Sequence, residues 1–421
     1  MGYMQLIRSN REFIKLWTAQ IVSLFGDWFS TITISALIAS YTAGTDYQGI
    51  AVSSFFIARL VPPVLMRPLA GVIADRFDRK RLLIVSDIAR ALAVLGLLFA
   101  TQGPENLPLV YVFVVVQFLF SAIFEPARSA MVPSLLYRHQ LVAGNTLSNM
   151  TWSAMLAIGA ISGGLAAELL GTQAVLLIDA MTFVVSALLI VSIVIPERPR
   201  SEIGQEARKV KSKSQRTIRD AIRYLATHPS AAAGLFVKTG MGVTIFDTVM
   251  IIYGTQIFVL GDKGITSVGI FWAAFGIGAI VGPMIANLFS DGTVRELRRL
   301  IIIGFALIAF GWFFWGLAPS LELVSLAIFI RAMGGAVCWT YSSVIIQLEV
   351  PDEYLGRAFS FDLVGFELIQ TIGMVVLGLL IDTMGTDGIQ AIVFGMALVA
   401  VAPLLIWIWI AHRLEKFKPI G

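Results

Sequence analysis

Charged side chains that stand alone in long apolar stretches are the residues of this chain best placed to do chemistry. The acids among them that we take as candidates are Asp27, Asp247 and Glu367. On insertion scales a charge at the centre of a membrane span costs about 2.5–3.5 kcal/mol, so such a residue is usually paired and functional. Burial favours the neutral form of a carboxyl group, and a nearby arginine favours its charged form. We therefore take these three acids as candidates for reversible proton binding.

Basic and aromatic side chains share these apolar stretches with the acids. A lysine or arginine at this depth can pair with an acid or attract a charged group of a solute, and an aromatic wall with few charges suits a bulky amphipathic solute. The candidates of these kinds are Arg59, Lys238, Arg331, Phe25, Trp28, Trp339 and Tyr341. A competing interpretation is that the charges form permanent ion pairs and the rings only pack between helices. The residue types alone leave both interpretations open.

The elements that position these residues are apolar runs long enough to cross a membrane. The chain has 421 residues, of which 57% are hydrophobic and only 14% charged, and its mean hydropathy is +0.83. An average soluble domain is about 45–50% apolar and about 25% charged. Twelve runs are each long enough to span the hydrocarbon core as a helix. They lie near residues 15–40, 49–74, 82–101, 108–127, 145–170, 173–195, 231–259, 266–289, 300–317, 322–347, 358–381 and 388–411.

The basic residues predict how these spans are oriented. They concentrate in the N-terminal tail, in every second loop and in the C-terminal tail, and the opposite loops hold only Lys263. Lysine and arginine are enriched in cytoplasmic loops, so we expect both termini in the cytoplasm and a multi-pass protein of the plasma (inner) membrane. The same distribution forms no contiguous basic patch, which argues against nucleic acid as a partner.

The chain divides into two halves at its one long polar stretch. We predict a first six-helix bundle over residues 1–195, a cytoplasmic linker over 196–229 and a second six-helix bundle over 230–421. Two weak internal echoes support this division. Residues 25–27, FGD, resemble residues 245–247, IFD, and a Val-Pro pair at 132–133 recurs at 350–351. Repeats of this kind are typical of transporters built from two bundles.

Several other classes of function fit the composition poorly. The chain has one cysteine, Cys338, and three histidines that all fall in loops or helix ends, so no metal or other cofactor is expected. It lacks the G-x-x-x-x-G-K-[ST] loop that ATP hydrolysis would need. An intramembrane hydrolase remains as a remote alternative through Ser162, although no span holds a histidine. A channel or a receptor would not need acids at mid-membrane in both halves.

Three motifs carry a resemblance to a known family. Residues 71–81, GVIADRFDRKR, form a charged hairpin between two apolar runs and resemble the loop signature G-x-x-x-D-R-x-G-R-K of the major facilitator superfamily. Residues 124–136, FEPARSAMVPSLL, and residues 351–357, PDEYLGR, are similar to motifs of its drug and siderophore exporter branch, which includes enterobactin exporters and macrolide efflux proteins. One departure is Asp78, which stands where the family usually has glycine.

The resemblance implies a fold, a function and a second set of site residues. The fold would be the all-α arrangement of twelve transmembrane helices in two pseudo-symmetric six-helix bundles. The function would be export of a bulky amphipathic small molecule, coupled to protons by alternating access and carried out by a monomer; a lysophospholipid flippase is the alternative within the superfamily. Asp75 would brace the helix start at 356–359, and Arg79 would pair with Glu125. The conformational latch would thus comprise Gly71, Asp75, Arg76, Arg79 and Glu125.

Overall fold

A computed structural model describes residues 3–137, 140–195 and 218–416 of the chain. Twelve helices in this part are long and apolar enough to cross a membrane. In chain order they are α1 (Arg11–Tyr41), α2 (Gln48–Arg76), α3 (Arg79–Ala100), α4 (Leu107–Leu135), α5 (Leu141–Leu170), α6 (Thr172–Val191), α7 (Pro229–Gly242 with a continuation over Asp247–Ile252 and Tyr253–Ile257), α8 (Ile265–Asn287), α9 (Val294–Leu317), α10 (Leu321–Glu349), α11 (Asp352–Met384) and α12 (Ile389–Lys416). The prediction of an all-α, twelve-span membrane protein is confirmed.

Short polar residues begin several of these helices by bonding to their free backbone amides. The Asn10 side chain accepts a hydrogen bond from the Phe13 amide at the start of α1, over 3.0 Å. Asp78 does the same at the start of α3, where it accepts from the Arg81 amide over 2.8 Å. Asparagine and aspartate are among the preferred residues at this position. The aspartate that replaces the usual glycine of the hairpin motif therefore has a local role as the N-cap of α3.

The packing partners of the helices repeat with a shift of six spans. In the first half, α3 packs against α4 and α6, and α2 packs against α4. In the second half, α9 packs against α10 and α12, and α8 packs against α10. Likewise, α1 packs against α5 in the first half, and α7 packs against α11 in the second half. This repetition is the pseudo-symmetry expected of two six-helix bundles.

The two halves meet through two main pairs of helices, α2 with α11 and α5 with α8. Because the number of spans is even, both ends of the described chain lie on the same side of the membrane, which we call the terminus side. We call the opposite side of the membrane the far side. Glycines allow close contact near the far side. A Cβ atom built on Gly49 of α2 would lie 2.4 Å from the carbonyl oxygen of Gly378 of α11, and one built on Gly164 of α5 would lie 3.0 Å from the carbonyl oxygen of Ile265 of α8.

The seventh span is not one continuous helix, although its sequence reads as a single apolar run. The α-helix ends at Gly242, and a new one begins at Asp247. Non-helical backbone is tolerated at membrane depth only where protein or a water-filled cavity satisfies its polar groups. The guanidinium of Arg331 on α10 does so here, because its Nη2 donates to the Thr244 carbonyl oxygen over 2.5 Å.

The end of the predicted linker packs on the terminus side of the second half. Residues 196–217 lie outside the described residues, and a short helix covers Ile218–Thr227. The Tyr224 hydroxyl donates to the carbonyl oxygen of Glu349, the last residue of α10, over 2.9 Å. Its ring stacks on Tyr354 of α11 with centroids 5.0 Å apart. The linker is thereby attached to both α10 and α11.

Candidate functional site

A cavity in the first half brings Asp27 together with two arginines. It measures about 380 Å³ and is lined by α1, α2, α3, α4 and α5, with Asp27, Arg59 and Arg90 in its wall. Asp27 is 9% exposed. Gln117 Nε2 donates to Asp27 Oδ1 over 2.9 Å, and Arg90 Nη1 lies 3.8 Å from Asp27 Oδ2. The predicted acid thus lies where both a solute and solvent can reach it.

Arg90 connects Asp27 to a second buried acid, Asp87. The Arg90 guanidinium forms a salt bridge with Asp87, whose other oxygen accepts from the Ser186 hydroxyl on α6 over 2.7 Å. The same guanidinium lies 4.1 Å from the ring centroid of Phe124. Asp87 and Arg90 were not among our predicted site residues. The signal that could have found them was the presence of opposite charges three residues apart, on one helix face, within the third apolar run.

Arg59 faces aromatic rings instead of an acid. Its guanidinium carbon lies 5.0 Å from the ring centroid of Trp28 and 4.7 Å from that of Phe118, and both rings line the same cavity. Within the described residues Arg59 forms no salt bridge. A guanidinium over aromatic faces keeps its charge available to a solute.

Aromatic rings from both halves meet beside the cavity. Trp28 on α1 and Trp272 on α8 have centroids 5.3 Å apart, and Trp272 also contacts Phe246 at 5.7 Å. Trp272 was missed because an apolar run gives no sign of which ring crosses between halves. Phe25, a predicted candidate, packs against Phe29 at 5.3 Å in a cluster with residues of α5, α6 and α8. It is not among the residues that line the cavity.

The second half contains its own buried ion pair, between Lys238 on α7 and Asp362 on α11. Lys238 and Asp362 are 2% and 0% exposed and form a direct salt bridge. The ammonium also donates to the Ser343 hydroxyl on α10 over 2.9 Å and lies 4.6 Å from the ring centroid of Trp339, which is 39% exposed. Lys238 and Trp339 were predicted candidates, and the structure brings them together. Asp362 was missed, although it is an acid inside the eleventh apolar run.

The remaining predicted residues of the second half lie nearer the break in α7. Arg331, which binds the Thr244 carbonyl, has its guanidinium carbon 4.0 Å from the ring centroid of Phe246. Asp247 is the first residue after the break and is 7% exposed. Two other candidates, Glu367 on α11 and Tyr341 on α10, are 8% and 5% exposed.

The hairpin between α2 and α3 shows only part of the implied latch. The surroundings of Gly71 and the side chain of Asp75 lie outside what the structure describes, and Arg76 is exposed. Arg79 Nη1 donates to the Ala130 carbonyl oxygen on α4 over 2.7 Å. Glu125 on the same helix instead accepts from Arg128 Nη2 over 2.8 Å. Arg79 therefore reaches the predicted helix but binds its backbone and not Glu125.

No three histidine, cysteine or acidic side chains come together as a possible metal site in the described ranges.

A model of the Major Facilitator Superfamily matches residues 16–315 and again 264–419. The chain belongs to the major facilitator superfamily. It is a multi-pass membrane transporter of small molecules and not an enzyme, as the sequence motifs implied.

Three relatives from this superfamily match nearly the whole chain at low identity. The transporter YfiS of Bacillus subtilis (strain 168) is 22% identical, over 91% of this chain and 89% of its own length. Macrolide efflux protein A of Streptococcus pyogenes is 23% identical, over 89% of this chain and 91% of its own length. Enterobactin exporter EntS of Citrobacter koseri is 23% identical, over 99% of this chain and 95% of its own length.

Solved structures of the superfamily share the fold with little sequence identity. The POT family transporter PepTSo superimposes with a TM-score of 0.72 at 10% identity, covering 97% of this chain and 99% of its own. A bacterial homologue of the iron transporter ferroportin, in its inward-facing state, gives a TM-score of 0.70 at 14% identity, covering 96% and 99%. These likenesses establish the shared architecture.

Proposed function

We propose that this transporter is a proton-coupled exporter of a bulky, amphipathic small molecule and that it works by alternating access. The direction of transport is supported by relatives of matching length that are named for export, of a macrolide in one case and of the siderophore enterobactin in another. The protein would be a monomer in the plasma (inner) membrane. Both of its termini would lie in the cytoplasm, because the basic residues concentrate on the terminus side.

The position of Asp27 is the observation that carries the coupling. Its carboxylate lies in the cavity wall, between the donors Gln117 and Arg90. A proton that neutralises Asp27 weakens its attraction to Arg90, and a solute in the cavity competes for the same donors. Proton binding and solute binding are thus linked through one carboxyl group, which is what antiport requires.

The residues that line the cavity support the proposal that the solute is bulky and amphipathic. Trp28, Phe118 and Trp152 supply aromatic surface. The charged lining residues are two acids and two arginines, namely Asp27, Glu125, Arg59 and Arg90. Ligand sites of this composition bind mostly through apolar contact and use a few polar groups to fix orientation. The cavity therefore suits a large molecule with an apolar body and some polar groups better than a sugar or an ion.

The contacts between the halves support loading from the terminus side. Among the residues that the structure describes, four hydrogen bonds join the halves near the far side: those of Gly49 and Ile50 to Asp382, that of Ser53 with Thr248 and that of Thr266 to Glu168. If the terminus side is cytoplasmic, a conformation tied together at the far side is the one that receives a solute from the cell interior.

Proton movement in proteoliposomes tests this function. Purified protein is reconstituted with a pH-sensitive dye inside, a pH gradient is imposed, and erythromycin or enterobactin is added. We expect compound-dependent dissipation of the gradient by the wild type and at least a tenfold loss in Asp27→Asn. Asp291→Asn, in an exposed loop, is the matched control and should transport normally. Gradient-driven transport retained in Asp27→Asn would remove Asp27 from the mechanism.

The same vesicles separate export of a soluble compound from movement of a lipid. A lysophospholipid that dissipates the gradient while erythromycin and enterobactin do not would favour a flippase. Ion currents without added compound would favour a channel. Either result would replace the exporter proposal.

A further inference from the structure

A second acid of the first half, Asp179 on α6, is not explained by the cavity. It is 0% exposed, and it is the one charged residue of its helix. Its Oδ1 lies 3.4 Å from the Thr182 hydroxyl, and its Oδ2 is buried without a hydrogen-bond partner. No described lysine or arginine comes within salt-bridge distance of it.

The surroundings of Asp179 favour a neutral acid, because the described residues supply few donors and no cation in contact with it. The Thr182 hydroxyl donates its single hydrogen to the backbone carbonyl oxygen of Asp179, over 2.7 Å. The longer contact, from the same Thr182 hydroxyl to Asp179 Oδ1, competes for that one hydrogen and is weak at 3.4 Å. An ionised carboxylate without a partner would lose several kcal/mol of hydration at this depth, and a buried group in that position binds a proton instead.

Asp27, in contrast, has the surroundings of an ionised acid. It accepts from Gln117 and faces Arg90, which also pairs with Asp87. The charged groups near Asp179 from the neighbouring helices are thus Asp27 on α1 and Arg90 and Asp87 on α3, and Arg59 on α2 lines the same cavity as Asp27. Two acids held in opposite protonation states by their surroundings are a common arrangement where protons are transferred.

Asp179 packs against the backbone of α1 at the residue before Asp27. Gly26 precedes Asp27, and a Cβ atom built on Gly26 would lie 2.4 Å from Asp179 Oδ1 and 2.1 Å from the Thr182 hydroxyl oxygen. The missing side chain of Gly26 thus lets the carboxyl group of Asp179 contact α1 directly beside Asp27.

We propose that Asp179 is a second proton-carrying residue of the transport cycle and that it exchanges its proton with Asp27. In this step the O–H bond of Asp179 breaks and an O–H bond forms on Asp27, so the negative charge moves from Asp27 to Asp179 and the net charge is unchanged. Asp27 is then neutral and releases Arg90. This inference rests on the proposed proton coupling, and it assigns that coupling to a pair of carboxyl groups.

Infrared spectroscopy tests the resting proton without any transport. Protonated and ionised carboxyl groups absorb at different frequencies. The spectrum of the wild type minus that of Asp179→Asn should contain one band of a protonated carboxyl group, and the same band should persist in Asp27→Asn. Absence of the band from the difference spectrum would overturn the inference.

Transport measurements test whether this proton moves. Without a gradient, we expect Asp179→Asn to exchange erythromycin across the bilayer at the wild-type rate. With a proton gradient, we expect its rate of transport to be at least tenfold lower than that of the wild type. Normal exchange shows that the variant is folded. Gradient-driven transport at the wild-type rate would show that Asp179 only packs, and loss of both activities would also count against a proton role.

The two experiments keep this inference separate from the proposed function. If the wild type shows the infrared band but no proton-driven transport of any compound, the proposed coupling fails while the proton on Asp179 stands. If Asp27→Asn loses coupling and Asp179→Asn does not, the exporter proposal survives and the second proton site is removed.

Discussion

The carboxylate of Asp382, near the end of α11, accepts a hydrogen bond from the backbone amide of Gly49, near the start of α2, over 2.5 Å. Its second oxygen accepts from the Ile50 amide over 3.0 Å. An acid from the second half thereby caps a helix of the first half, where the free amides carry partial positive charge. This contact lies at the far side and must break when that side opens.

We expect Asp382→Ala to favour opening of the far side. A hydrogen bond to a charged group contributes about 1.5–3 kcal/mol, so the equilibrium between the two conformations should shift roughly ten- to a hundredfold. Spin labels at positions 47 and 387 lie in far-side loops of opposite halves. Pulsed electron paramagnetic resonance measures the distance between the two labels. The distribution should gain a longer distance in the variant. Asp46→Asn, an exposed acid in the same region, is the control, and equal distributions in both variants would contradict the prediction.

The Lys238–Asp362 pair gives a prediction about stability. Removing one member leaves an unpaired buried charge, which costs about 3–5 kcal/mol. Lys238→Met and Asp362→Asn should each be destabilised to that extent, and the double variant by much less than the sum. Unfolding by titration with SDS measures all three.

The exposed pair Arg295–Glu415 is the matched control for this cycle. Its side chains are 66% and 33% exposed, with 3.1 Å between Nε and Oε1. Removing either member should change stability by less than about 1 kcal/mol. Additive effects of the two buried substitutions would mean that Lys238 and Asp362 do not interact in the membrane.

Gly26 should not tolerate even alanine. Its Cβ would lie within 2.4 Å of two side-chain oxygens of α6, so α1 and α6 would have to separate. We expect Gly26→Ala to be destabilised by about 1–3 kcal/mol, as in overpacked cores, and to lose proton-driven transport. Gly395→Ala is the control because nothing lies within 4 Å of its Cβ position. Equal thermal stability and transport of the two variants would contradict the close contact.

Part of the architecture follows from local sequence alone. All twelve spans were predicted, because one long apolar stretch is enough to define a membrane helix. Their ends were less exact, since α4 continues to Leu135 although its predicted run ends at residue 127. The hairpin motif also predicted that Arg79 reaches α4, although its acceptor proved to be a backbone carbonyl and not Glu125. The break in α7 could not be predicted, because the arginine that satisfies the freed Thr244 carbonyl lies 87 residues away along the chain.

The sequence by itself determined that this is a twelve-span membrane protein and that Asp27 is an unusual acid within its first span. Only the tertiary structure decided which residues Asp27 meets. Gln117 lies 90 positions further along the chain, and Arg90 reaches Asp27 from another helix. The physical reason is that hydrophobicity is a property of each segment, whereas the pairing of buried charges depends on how far each helix rotates and slides against its neighbours.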